Sequence, residues 1–266
     1  MASNHAMQAA GRRTRRRTRR RRWPILLLLL CLGLTVSLLR NREAGSDGVP
    51  EDLEQYAATL GLTLSDYPAQ LVDLYERNPE TRDFVFEYPE KQGEHPEIDL
   101  SGCLDGGVPL LMQWDQRWGY ESYAGDFFGL TGCGPTCLSM VAIYLTGDSS
   151  FSPAWAARYA ADNGYATWNH GTEWALFSEG GPALGFSVQE LPLDEGTIRS
   201  NLEDGHPVVC ILGPGDFTAT GHFVVMTGWE DGGIRLNDPN SRENSEKLWP
   251  YEDIAGQIRN LWAFQI

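Results

Sequence analysis

The sequence lacks the motifs that identify nucleotide-dependent and metal-dependent enzymes. It contains no Walker phosphate-binding loop and no glycine-rich dinucleotide fingerprint, so neither nucleotide hydrolysis nor nicotinamide chemistry is expected. Its five cysteines include no pair of Cys-x-x-Cys motifs, and its five histidines show no paired ligand spacing, so a zinc site is not expected. The sequence therefore implies no cofactor.

Basic residues are scarce beyond the N-terminus. Residues 1–42 contain eleven arginines and no acidic residue, which leaves 10 basic against 36 acidic residues in the remainder, a net charge of −26. A surface of this charge repels nucleic acid and anionic cell-wall polymers. Two interpretations of the acidity stay open, namely simple solubility and a preference for cationic peptides.

Long apolar runs are confined to one segment. Nine arginines fall within residues 12–22, and the uncharged, leucine-rich stretch 23–39 follows directly. A stretch of this length is at the short end of what spans a bilayer, and preceding arginines favour a cytoplasmic N-terminus. We predict a basic cytoplasmic tail at 1–22 and an uncleaved single-pass transmembrane anchor at 23–39, with the rest of the chain extracytoplasmic. A cleaved signal peptide, which would release a secreted protein, and a nucleic-acid-binding tail are the alternatives.

Residues 40–107 are interpreted as a linker and a helical extension. Leu71, Leu74 and Tyr75 recur at helical spacing, with Asp66 as a candidate cap before them. The segment is predicted either to form a stalk or to pack on the domain that follows it.

Residues 108–266 are predicted to form one α+β domain, because helices lead and strands follow along the chain. Helices are expected at 133–146, 153–163, 172–178, 194–203 and 251–259. Strands are expected at 108–112, 186–191, 207–212, 222–227, 233–237 and 261–266.

A thiol lies where a glycine-containing loop meets an apolar helix. Cys133 would occupy the helix N-terminus, where the dipole and unpaired N–H groups stabilise a thiolate. A lone cysteine is more often a buried structural residue, which is the interpretation for Cys137 and Cys210. Cys103 has no evident role.

A histidine and a carboxylate fall near the open end of one predicted hairpin. His222 begins its first strand and Asp238 ends its second, so nucleophile, base and orienting group occur in order with Cys133. Counting across the hairpin leaves Asp238 a few residues from direct opposition to His222. The contact therefore requires a bulge or a departing chain. Among the other histidines, His170 lies in a loop that could line a cleft.

Four ordered motifs resemble those of the C39-like cysteine peptidases, which are relatives of the bacteriocin-leader-processing domains. The motifs are Met112-Gln-Trp-Asp-Gln-Arg-Trp-Gly119, Gly132-Cys-Gly-Pro-Thr-Cys137, Gly221-His-Phe-Val-Val225 and Asn237-Asp-Pro239. The resemblance covers roughly residues 105–266 and implies a papain-like cysteine peptidase fold.

The resemblance also implies roles for individual residues. It assigns the nucleophile to Cys133, the base to His222, the acidic third member to Asp238 and the oxyanion-hole glutamine to Gln113. Gln113 precedes Cys133 by 20 residues, whereas only a few residues separate the two in the bacteriocin processors. Gln116 therefore stays open as an alternative.

Residues and resemblance together predict a membrane-anchored cysteine peptidase that cleaves peptide or protein substrates. The protein is expected to be a monomer, to use no cofactor and to bind no nucleic acid. Two alternatives remain: an amidase or transferase that acts on cell-wall peptides with the same triad, and a non-catalytic papain-like binding module.

Overall fold

The computed structural model describes residues 49–104, 106–168 and 171–266. The predicted cytoplasmic tail and membrane anchor lie outside these residues, as does His170. Within the described part of the chain, no helix is both long enough and apolar enough to cross a bilayer.

The described chain begins with a helical extension. Its helices are α1 (Val49–Thr59), α2 (Ala69–Arg77), α3 (Arg82–Phe86) and α4 (Tyr88–Lys91), with 3-10 turns at Leu64–Asp66, Pro79–Thr81 and Ser101–Cys103. Leu71, Leu74 and Tyr75 form the buried face of α2, as their spacing predicted. Asp66 does not cap α2, because its carboxylate accepts from the backbone N–H of Thr63 in the preceding turn.

This extension packs on the domain that follows it. Its buried side chains share one apolar cluster with Met112 and Trp114. The Phe84 ring stacks on Tyr120 with centroids 4.5 Å apart. A Cβ atom added at Gly129 would come within 2.7 Å of the Phe84 ring, so the domain's backbone approaches the extension too closely for a larger residue there.

The domain is built from ten strands and seven helices within the described residues. The strands are β1 (Ser122–Tyr123), β2 (Asp126–Phe127), β3 (Ala166–Thr167), β4 (Gly171–Thr172), β5 (Ser187–Glu190), β6 (Val208–Leu212), β7 (His222–Glu230), β8 (Gly233–Asn237), β9 (Leu248–Pro250) and β10 (Ile258–Gln265). The helices are α5 (Phe128–Thr131), α6 (Cys133–Thr146), α7 (Pro153–Asp162), α8 (Gly181–Ala183), α9 (Glu195–Glu203), α10 (Arg242–Glu246) and α11 (Tyr251–Ala255), and a π-helical turn spans Leu176–Gly180.

Six strands form an antiparallel sheet in the order β5-β10-β6-β7-β8-β9, and the predicted α+β class is confirmed. Side chains of β7 alternate between two apolar clusters, as a strand buried on both faces requires. Phe223 and Val225 pack in the cluster that contains α6 and α7. Val224 and Met226 pack in the cluster that contains α9. The sheet is thus covered by helices on both faces.

The strand predicted at 108–112 is wrong. This segment has no regular secondary structure and joins no ladder. Pro109 has no N–H to donate, and the carbonyls of Val108 and Pro109 accept hydrogen bonds from the side-chain amide of Asn237 instead.

Two predicted helices end or begin elsewhere. The helix expected at 251–259 stops at Ala255, and β10 starts at Ile258 because Ile258 pairs with Leu212 across the sheet. The helix expected at 172–178 is replaced by β4 and by the π-helical turn that begins at Leu176. In the first case pairing with a distant strand overrides the local preference, and in the second β4 pairs with the nearby strand β3.

We predict that Phe84→Ala lowers the free energy of unfolding by about 3–5 kcal/mol, because it removes a buried ring that joins the extension to the domain. Urea-induced unfolding of the full-length protein measures the loss. The control is Leu193→Ala at an exposed position, which is expected to change stability by about 0.5 kcal/mol or less. Equal stabilities of the two variants would show that the Phe84 ring does not stabilise the fold.

Candidate active site

Cys133 is the first residue of α6 and lies at the rim of a buried helix. Every residue from Gly134 to Ile143 is buried, whereas Cys133 is half-buried. A Cβ atom at Gly134 would lie 2.6 Å from the Thr172 hydroxyl, so glycine allows β4 to pass close to the first turn of the helix. The local sequence thus leaves the thiol accessible at an otherwise closed helix end.

His222 is the first residue of β7 and is almost fully buried. Its Nε2 atom lies 2.6 Å from Oδ1 of Asp238. The Cys133 thiol lies beside the imidazole, close enough that each group shifts the pKa of the other. Because Nε2 faces the carboxylate, Nδ1 is the nitrogen available to the thiol. The structure therefore brings the three predicted residues together in one chain of contacts.

A one-residue bulge in β7 controls where Asp238 falls. Between Met226 and Gly228 the pairing with β8 shifts, and beyond the shift Val225 pairs with Asn237. The pairs near the turn, from Gly228 to Glu230, follow a different register. If that register continued along the hairpin, Val225 would pair with Asp238 instead.

This shift bears on whether the side chains of Asp238 and His222 point to the same face of the sheet. If the bulged register continued one residue beyond Asn237, Asp238 would fall opposite Val224, whose side chain has the same facing as that of His222 two residues earlier. In the structure β8 ends at Asn237, and Asp238 bridges Ser241. Diagonal neighbours on one face of a sheet lie within side-chain reach. Without the bulge, Asp238 would face the opposite side. Hairpin counting required a bulge or a departing chain, and the structure contains both, since the chain leaves β8 after Asn237.

Asp238 is held by the turn that follows it. Its Oδ1 atom accepts from the backbone N–H of Asn240 at 2.8 Å, and its Oδ2 atom accepts from the Asn244 amide at 2.8 Å. The backbone N–H of Asp238 donates to the Ser245 hydroxyl at 2.9 Å. Sequence reasoning missed these three residues. The available signal was the run of turn-forming and capping residues, in which Ser241 caps α10.

The pKa values of the three groups are shifted by one another. Burial opposes the thiolate, but the hydrogen bond and charge of His222, with backbone N–H groups of Phe223 and Gly134, lower the pKa of Cys133. Burial also opposes the imidazolium, but the charge and hydrogen bond of Asp238 raise the pKa of His222. The pKa of Asp238 is lowered despite its burial, chiefly by His222. These directions favour a thiolate, an imidazolium and a carboxylate side by side.

The two candidate glutamines differ in position. Gln113 is buried, donates from its side-chain amide to the Gly129 carbonyl at 2.8 Å, and leaves its Oε1 atom without a partner. Its backbone N–H donates to the carbonyl of Pro239, next to Asp238. Gln116 instead donates to Asp83 and Glu87 of the helical extension, away from the thiol.

An open cleft of about 480 Å³ lies beside the thiol. It is lined by Leu130, Thr131, Cys133, Gly171, Thr172, Trp174, Ile211, Thr220, Gly221 and Phe223. None of these is Asp, Glu, Lys or Arg, so in the described lining only the Cys133 thiolate would carry a charge. In the described residues, no group of three or more His, Cys, Asp or Glu is arranged to hold a metal ion.

The family model described as Peptidase_C39 like family matches residues 106–264, which is more than half of the chain. The chain belongs to the C39-like peptidase family. The cleft and the three contacting residues all lie within the matched region. Family membership supports a cysteine peptidase-like domain. No curated protein matches the sequence.

Two solved structures are similar to part of this C39-like chain. The peptidase domain of Streptococcus ComA, a bifunctional ABC transporter involved in quorum sensing, is 20% identical with a TM-score of 0.41, covering 51% of this chain and 90% of that domain. A C39-like peptidase from Bacillus anthracis is 17% identical with a TM-score of 0.36, covering 64% of this chain and 98% of the other.

The C39-like site predicts different reactivity for its two neighbouring thiols. Iodoacetamide at neutral pH should label Cys133 at least about tenfold faster than Cys137, because only the thiolate reacts. Cys137 is fully buried, and burial together with the charge of Cys133 raises its pKa well above the usual value. Peptide mass spectrometry over a time course measures both rates. His222→Ala should slow labelling of Cys133, and equal rates in the parent protein would contradict the prediction.

Proposed function

We propose that this C39-like domain hydrolyses peptide bonds with Cys133 as nucleophile, His222 as acid and base, and Asp238 as the group that orients His222. The observation that carries the proposal is the position of His222, buried 2.6 Å from the carboxylate of Asp238 and beside the Cys133 thiol, whose pKa it lowers. That is the arrangement thiol catalysis requires.

The proposed reaction proceeds in two halves. The Cys133 thiolate attacks the carbonyl carbon, and His222 gives its proton to the leaving amine as the C–N bond breaks, which leaves a thioester. Water then loses a proton to His222, attacks the thioester and releases the carboxylic acid. The proposed oxyanion donors are the backbone N–H of Cys133 and the second amide proton of Gln113, whose first proton is held by Gly129.

The cleft supports a preference for an uncharged side chain next to the scissile bond. Its walls include the apolar side chains of Trp174, Ile211 and Phe223, and apart from the nucleophile Cys133 its described lining has no ionisable side chain. Beyond residue 42 the chain has a net charge of −26. A cationic peptide with an apolar residue at the cleavage site would match both features.

The roles of the triad predict a graded loss of kcat/KM. Cys133→Ser and His222→Ala should each lower it by about a thousandfold or more, because they remove the nucleophile or its proton acceptor. Asp238→Asn should retain more activity than Asp238→Ala. An asparagine oxygen can still accept from His222, and Asn244 can turn its amide to match, whereas alanine leaves both without a partner.

Hydrolysis of one peptide substrate by each variant across pH measures this series. The parent profile should be a bell, in which the acid limb reports loss of the thiolate and the alkaline limb reports loss of the imidazolium. Cys137→Ala, one turn further along α6, is the matched control and should retain most of the activity. If Asp238→Ala equals the parent, Asp238 does not orient His222. Full activity of Cys133→Ser would contradict the role of Cys133 as nucleophile.

We further propose that the domain is extracytoplasmic and tethered by the leucine-rich segment 23–39, with the arginines of 12–22 on the cytoplasmic side. Protease added to intact cells should then remove the C-terminal domain and spare a cytoplasmic control protein. Immunoblots of cells and of medium measure this. Protection of the domain would place it inside the cell, and recovery of all the protein in the medium would indicate a cleaved signal.

A further inference from the structure

The helical extension contacts the turn that carries Asp238 through one carboxylate. Glu80 accepts hydrogen bonds from the Ser241 hydroxyl at 2.8 Å, from the backbone N–H of Arg242 at 2.8 Å and from the backbone N–H of Glu243 at 3.3 Å. These donors belong to the first turn of α10. Glu80 thus satisfies groups that the start of a helix leaves unpaired.

Asn78 makes a second contact with the same turn. Its Nδ2 atom donates to the carbonyl of Asn240 at 2.6 Å, and Trp114 donates to that carbonyl at 3.0 Å. The Oδ1 atom of Asn78 accepts from the backbone N–H of Glu80 at 3.1 Å, which holds the two extension residues together.

The turn held in this way is the one that orients Asp238. Asn240 and Asn244 each donate to the Asp238 carboxylate, and Ser245 accepts from its backbone N–H. Glu80 is bound to α10, from which the Asn244 and Ser245 contacts come. A short path of hydrogen bonds therefore runs from the extension through α10 to the carboxylate that contacts His222.

We propose that Asn78 and Glu80 are positioning residues of the peptidase site, acting through α10 and the turn at 238–241 on the orientation of Asp238. Both residues lie outside the region 106–264 that the family model matches, so the site of this chain uses a part that the family domain does not include. The inference rests on the proposed function, because it assigns a role to Asp238.

The test compares Glu80→Ala with the parent in the full-length protein, using the rate of iodoacetamide labelling at Cys133 as a function of pH. Without Glu80, Asp238 is less well oriented and stabilises the imidazolium of His222 less. The imidazolium then stabilises the thiolate less, so the pKa of the Cys133 thiol should rise by about half a unit to one unit. Loss of a negative charge acting directly would lower that pKa. A rise in the pKa of Cys133 would therefore indicate that Glu80 acts by positioning Asp238. On a peptide substrate, kcat should fall about tenfold with KM nearly unchanged.

Glu87→Ala is the matched control. It removes a carboxylate from the same extension whose contact, with Gln116, lies away from Asp238, and it should leave the pKa of Cys133 unchanged. Asn78→Ala should raise that pKa in the same direction as Glu80→Ala. Glu80→Gln keeps one acceptor oxygen and should lie between Glu80→Ala and the parent.

An unchanged or lowered pKa of Cys133 in folded Glu80→Ala overturns the positioning role, and so does an equal rise in Glu87→Ala. If Glu80→Ala does not fold, Glu80→Gln and Asn78→Ala decide by the same criterion. A parent protein in which Cys133 titrates near pH 8.5, about the value of a free thiol, would instead overturn the proposed thiol mechanism itself.

Discussion

The buried hydrogen bond between His222 and Asp238 is the contact on which the candidate site depends. Burying two charged groups is costly, and the cost is offset only when the remaining donors and acceptors are also satisfied. Asp238 meets this condition through Asn240 and Asn244, and His222 meets it through Cys133. The site therefore requires three parts of the chain to meet: the start of α6, the start of β7 and the turn after β8.

The contact with His222 also gives the two thiols of α6 different pKa values, although they are the same chemical group. Cys133 lies at the helix start, where His222 and the backbone N–H groups of Phe223 and Gly134 lower its pKa. Cys137, one turn further, is enclosed by apolar side chains, and its pKa is raised. Environment rather than residue type decides which sulfur can act as a nucleophile.

The site is not confined to the region that defines the family. The helical extension shares an apolar core with the domain through the stacked rings of Phe84 and Tyr120, and the two form one compact unit. Its polar side chains then reach the turn after β8. Residues before the matched region thus contribute to stability through apolar contacts and to the surroundings of Asp238 through hydrogen bonds.

Local sequence signals determined the α+β class, the start of α6 at Cys133, its end before Gly147, and the three residues that meet in the site. Only the tertiary structure decided how they meet. The bulge in β7 sets the facing of Asp238, and Glu80 binds a backbone group 162 residues away. Propensity and spacing describe neighbours along the chain, whereas strand register and long-range hydrogen bonds depend on which distant segments pack together.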